Sequence, residues 1–73
     1  MSLKNHGYKE VIKILTKYFD FDISRQKGSH IILRHPLNGR RVVVPAHDTI
    51  KLGTMQSILS QAGVSEDEFL KYV

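Results

Sequence analysis

The chain has no cysteine. That excludes a disulfide framework and any thiolate metal site, and a small exported domain commonly depends on such staples. A cytoplasmic setting is the expectation. Proline is sparse, with only Pro36 and Pro45 in 73 residues, and no repeat, linker or low-complexity stretch divides the chain. Residues 1–73 are therefore expected to form one domain, whose core must be compact because a chain of this size buries only about 60% of its unfolded surface. No apolar run approaches the roughly 20 residues of a membrane span, and the segment from Met1 to Gly7 has no h-region of a signal peptide. Neither export nor membrane insertion is expected.

Acidic residues are also scarce where it matters. Eleven Lys and Arg stand against seven Asp and Glu, a formal net charge of +4. Between positions 25 and 51 lie Arg25, Lys27, Arg34, Arg40, Arg41 and Lys51, with Asp48 the only acid, whereas the tail holds Glu66, Asp67 and Glu68. A positive middle of this kind suits a polyanion, although a basic surface also serves solubility.

What is present is clear periodicity. Tyr8, Val11, Ile12, Leu15, Tyr18 and Phe19 recur at helical spacing and predict an amphipathic helix ending near Phe19. Three short alternating segments follow: Phe21 and Ile23 with Asp22 and Ser24, then His30 to His35, then Arg40 to Val44. Between the last two, Pro36-Leu37-Asn38-Gly39 ends in Asn-Gly, a strong hairpin signal. Leu52, Met55, Ile58, Leu59 and Ala62 predict a second helix stopped by Gly63, and Ser65 with Glu68 forms a capping box for a short third helix carrying Phe69, Leu70 and Val73. The order helix, three strands, helix, helix implies an α+β fold, a two-layer α-β-β-β-α sandwich with a three-stranded antiparallel sheet and its helices on one face. Alternation assigns Ile31 and Leu33 to the core and leaves His30, Ile32 and Arg34 on the open face.

His30 and Arg34 are then about 13 Å apart along one strand. Arg25 and Lys27 precede them, and Arg41 or Arg40 adds charge from the third strand, so a nucleic-acid backbone can lie across this face. Lys27-Gly28-Ser29-His30 is the most informative tetrapeptide: Gly28 permits close backbone approach, Ser29 offers a hydroxyl and His30 an imidazole. Cleavage of RNA needs a base to take the 2′-hydroxyl proton, and an imidazole of unperturbed pKa near 6.5 suits that task. Lys27, Arg25 or Arg34 could stabilise the phosphorane without a metal. Taken alone, the same tetrapeptide reads first as a hairpin turn followed by a solvated strand residue.

The remaining histidines are weaker candidates. His6 has no expected role, His35 is a strand-end residue, and His47 lies in the loop before the second helix, either as a phosphate contact or general acid or as a cap of local backbone. No three-ligand metal spacing is present, Ser29 lacks an acid to complete a triad, and Lys51-Leu52-Gly53-Thr54 opens a helix without a Walker pattern. No metal and no cofactor are expected.

Arg25-Gln26-Lys27-Gly28-Ser29-His30, Arg34-His35-Pro36, Val43-Val44-Pro45-Ala46-His47 and the run from Leu52 to Gly63 together resemble the HicA family of bacterial toxins, over nearly all of Tyr8 to Phe69. The resemblance implies a fold similar to double-stranded-RNA-binding domains, metal-independent cleavage of messenger RNA, and a HicB-like antitoxin that covers the site. The family's Gly-Ser-His histidine falls on His30. Arg25, Lys27, Gly28, Ser29, Arg34, Arg41, His47 and Lys51 are expected RNA contacts from charge and position. Two departures stand out: Ile31 replaces a frequent second histidine, and Gln56 a frequent basic residue. The alternatives are a non-catalytic RNA-binding module of the same fold and a domain whose positive face docks an acidic protein.

Overall fold

A computed structural model describes residues 3–73. Helix α1 spans Tyr8–Tyr18, strands β1, β2 and β3 span Asp22–Lys27, His30–Arg34 and Arg41–Pro45, and helices α2 and α3 span Leu52–Ala62 and Glu66–Leu70. The strands form one antiparallel sheet in the order β1-β2-β3. This is the α+β meander expected, with the element order of double-stranded-RNA-binding domains. Among the described residues no helix is long and apolar enough to cross a membrane.

The core lies between the helices and one sheet face. Val11, Ile14 and Leu15 of α1 meet Ile31, Leu33, Val42 and Val44 of the sheet, together with Met55, Ile58, Leu59 and Ala62 of α2 and Phe69 of α3. In α1 the buried stripe is thus centred on Ile14, while Tyr18 turns out to solvent and stacks on Tyr72 at 4.0 Å. Pairing aromatic faces lets two exposed rings shield one another.

Local chemistry accounts for the boundaries. Asp20 takes a left-handed φ of 64° after α1, and the Phe21 amide donates to Leu15 O at 3.1 Å, closing the helix by a wrapped-back bond. Gly63 does the same for α2 with φ 70°, the Val64 amide reaching Leu59 O. For α3 the capping box forms in both directions, the Glu68 amide to Ser65 Oγ and the Ser65 amide to Glu68 Oε1, each at 3.1 Å. Hydrogen bonding to its carboxyl from the Ser65 backbone first, then from the Ser65 side chain, with the charge of Lys71, holds Glu68 below its ordinary value.

The N-terminal segment is integral to the fold. Leu3 is buried, the Ile50 amide donates to His6 O at 2.8 Å, and the Tyr8 amide donates to His47 O at 3.0 Å. Expected to have no role, His6 is buried beside Phe69 and bonded through Nδ1 to Glu10 Oε1 at 2.7 Å. Gly7, the residue before α1, passes so close to the 47–50 loop that an added Cβ would lie 2.5 Å from Asp48 O. The loop bearing His47 is thereby fastened to the start of α1.

Candidate nucleic-acid interface

Residues directly opposite one another in an antiparallel pair share a face. His30 opposes Lys27 on β1 and Pro45 on β3, Ile32 opposes Arg25 and Val43, and Arg34 opposes Asp22 on β1 and Arg41 on β3. All of these project from the side away from the helices. His30, Lys27, Arg25, Arg34 and Arg41 are exposed there.

Arg25 and Lys27 reach that side because of a bulge. Ile23 and Arg25 pair with the successive residues Leu33 and Ile32, which leaves Ser24 as the extra residue in β1. Without it, strict alternation would place Ile23, Arg25 and Lys27 on one face. The extra residue changes the parity, sending Ile23 to the helix side and the two cations to the open side, the re-aiming for which bulges serve. Nothing in the local sequence marks Ser24 as bulged.

The turn joining β1 to β2 has two residues. Gly28 adopts φ 60°, while Ser29 is not in the left-handed region, which is the type II′ arrangement with glycine first. An added Cβ at Gly28 would meet nothing within 4 Å, so the glycine serves the turn conformation here and leaves open space beside it. Gln26 Nε2 steadies the turn by donating to Gly28 O at 3.2 Å. Ser29 O accepts the Ala46 amide at 2.7 Å, so the 45–47 segment lies against the turn and His47 sits, exposed, at the same end of the sheet as His30.

The α2 helix runs back along β3, because its last turn touches the beginning of that strand. Gln61 Oε1 accepts the Val43 amide at 3.0 Å, and Arg40 Nη1 donates to Gln61 O at 3.3 Å with its guanidinium over Gly63. Arg40 therefore neutralises the C-terminal end of α2 and is absent from the open face, leaving Arg41 as the β3 cation there. The opposite end of α2, beginning after Lys51, has no side-chain cap and no acid in its first turn. Lys51 stands before that end, apart from the strand cations.

His35 has a different occupation. Its Nδ1 accepts the Leu37 and Asn38 amides at 3.2 and 3.3 Å and its ring meets Phe21 edge to face, so it organises the β2–β3 turn. Among the described residues no three His, Asp or Glu side chains converge closely enough to hold a metal ion.

Apart from Lys51, the expected site residues therefore fall into two groups. Lys27, Gly28, Ser29, His30 and His47 gather at the β1–β2 turn, and Arg25, Arg34 and Arg41 surround a pocket of about 310 Å³ farther along the sheet. Ser24 and Ile32 also line that pocket, and neither was a sequence candidate.

Fold and face together define a small α+β domain of the double-stranded-RNA-binding type with a cationic open sheet. A family model described as "HicA toxin of bacterial toxin-antitoxin" matches residues 8–64. The chain belongs to this toxin family. No curated protein matches it.

Proposed function

We propose that this toxin is a metal-independent endoribonuclease that cleaves messenger RNA in the cytoplasm, with His30 as general base and a HicB-like antitoxin as its inhibitor. The observation that carries the reading is the placement of one exposed imidazole at a glycine turn, opposite Lys27 and in line with Arg34 on an open cationic face. His30 Nε2 or Nδ1 takes the proton of the 2′-hydroxyl as that oxygen attacks the adjacent phosphorus. The bond from phosphorus to the 5′-oxygen then breaks, that oxygen takes a proton from the His30 imidazolium or from water, and the products are a 2′,3′-cyclic phosphate and a 5′-hydroxyl. Lys27, the nearest cation by register, stabilises the phosphorane charge. Gly28 and Ser29 offer backbone and hydroxyl to the strand, while His47 and Lys51 extend the phosphate track from the loop and the start of α2.

Ile31 faces the core and is 5% exposed, so the position at which relatives often carry a second histidine points away from this surface. The proposed chemistry accordingly rests on His30 alone. Purified protein incubated with single-stranded RNA in excess chelator should yield fragments ending in cyclic phosphate or its 3′-phosphate hydrolysis product. RNA that is bound but stays intact would instead indicate a non-catalytic module of the same fold.

A further inference from the structure

The pocket of about 310 Å³ lies beyond His30, and its walls are Ser24, Arg25, Arg34 and Arg41 over Ile32. Two features distinguish it from an ordinary basic surface. Arg34 and Arg41 are direct cross-strand partners, an arrangement in which like charges destabilise the sheet. Asp22 opposes Arg34 from β1, yet none of the three guanidiniums forms an ion pair among the described residues. The second feature is Ile32. It stands on the polar side and outside the core cluster, yet is only 6% exposed. Arg25 stands opposite it and Arg34 two residues along, and both line the pocket with it. Arginine stems lying on an apolar floor keep their heads in solvent while losing rotamer freedom before any ligand arrives.

Three guanidiniums around one pocket, two of them direct cross-strand partners and none ion-paired among the described residues, are what a polyanion site requires. We propose that this pocket anchors one nucleotide of the bound RNA through its phosphates and so sets the register in which the strand meets His30, an inference that rests on the ribonuclease reading above. Guanidinium forks match phosphate oxygens in pairs, and the Ser24 hydroxyl adds a further hydrogen-bonding group. The Cα atoms of Arg34 and His30 are about 13 Å apart along β2, so the pocket engages a neighbouring nucleotide and the scissile phosphate stays with His30. An acidic protein segment would meet the same charges. RNA is favoured because Lys27 and His30 continue the polar track on the same face, which suits one continuous strand.

The test compares the Arg34→Gln/Arg41→Gln double variant with its parent. In a His30→Ala background, where RNA stays whole, affinity for a single-stranded oligoribonucleotide should fall about ten-fold or more. The slope of log affinity against log salt should become shallower by about 0.7 per charge removed. With His30 present, KM should rise far more than kcat falls, and cleavage of a defined RNA should spread from one position to several. The melting temperature should not drop, because repulsion has been removed. Arg34→Lys/Arg41→Lys, which keeps charge but loses the fork, should show an intermediate loss of affinity and serves if the first variant misfolds. Unchanged affinity and slope in a parent that binds RNA would overturn the subsite while leaving the ribonuclease reading intact. A fall in kcat with KM unchanged would overturn it by placing these arginines at the reacting phosphate. Retained RNA binding and cleavage with lost antitoxin binding would overturn it in favour of a protein dock. A parent that neither binds nor cleaves RNA would overturn both readings.

Discussion

The two faces of β2 carry opposite kinds of design. Toward the helices, Ile31 and Leu33 meet Val42 and Val44 across the ladder and are nearly or wholly shut from solvent. On the other side His30 and Arg34 stand exposed, and Arg34 opposes Arg41. The first face agrees with every local rule for a stable sheet, whereas the second breaks one by setting like charges opposite each other. Local conflict of that kind concentrates at functional sites. The difference teaches that one strand of five residues divides its labour by parity, with the core on one side and, on the proposed function, recognition on the other.

That division can be broken deliberately. The largest stability effect is expected from Leu33→Ala, about 2–5 kcal/mol by denaturant unfolding, because it opens a cavity in a fully buried site. Ile32→Ala should cost less despite similar burial, since arginine stems on the open face can settle into the space. Equal losses at the two positions would erase the distinction between the faces.

Next is Gly7→Ala, expected to destabilise by about 1–3 kcal/mol, since the new methyl would press on Asp48 O and push the His47 loop away from α1. A stability curve indistinguishable from that of the parent would mean the loop is not pinned there. Ser65→Ala should cost about 0.5–2 kcal/mol through loss of the α3 cap. It also carries a pH signature. Glu68 is held below its ordinary value of 4.5, so its contribution is present above that value and is lost as pH falls through the lower folded value. Glu68→Gln should flatten this acid limb of the stability profile, and an unaltered limb would contradict the cap's part in it. The smallest change is on the open face: Arg41→Thr should raise stability by a few tenths of a kcal/mol by ending the Arg34 repulsion. A clear loss of stability would show that Arg41 serves the fold.

Much of the fold was legible because several elements carried their own punctuation. Asn38-Gly39, Gly63 and the Ser65–Glu68 box lie where turns and caps form, with Gly39 and Gly63 both at positive φ. The placement of His30 and Arg34 on the open face followed from alternation alone. What escaped depended on tertiary geometry. The Ser24 bulge has no local signature, yet it decides which way Arg25 and Lys27 point. Ile32 is only 6% exposed on a face that alternation reads as open, and Arg40 turns to α2 because the helix end and Gly63 offer it a seat. For α1, periodicity gave the right helix, but Ile14 belongs in the buried stripe and Tyr18 outside it, since the stacking of Tyr18 on Tyr72 is fixed by the far end of the chain. His6 was unreadable for the same reason: its partners come from α1 and α3.

The central claim, that the open face performs chemistry through His30 without contributing to stability, is tested most directly by His30→Ala. Melting temperature, RNA affinity and RNA cleavage in chelator should be measured on the same preparations. Cleavage reduced by about 10²- to 10⁴-fold, with melting and affinity close to those of the parent, is the expected result. Cleavage that persists in the variant, or is lost together with folding, would contradict it.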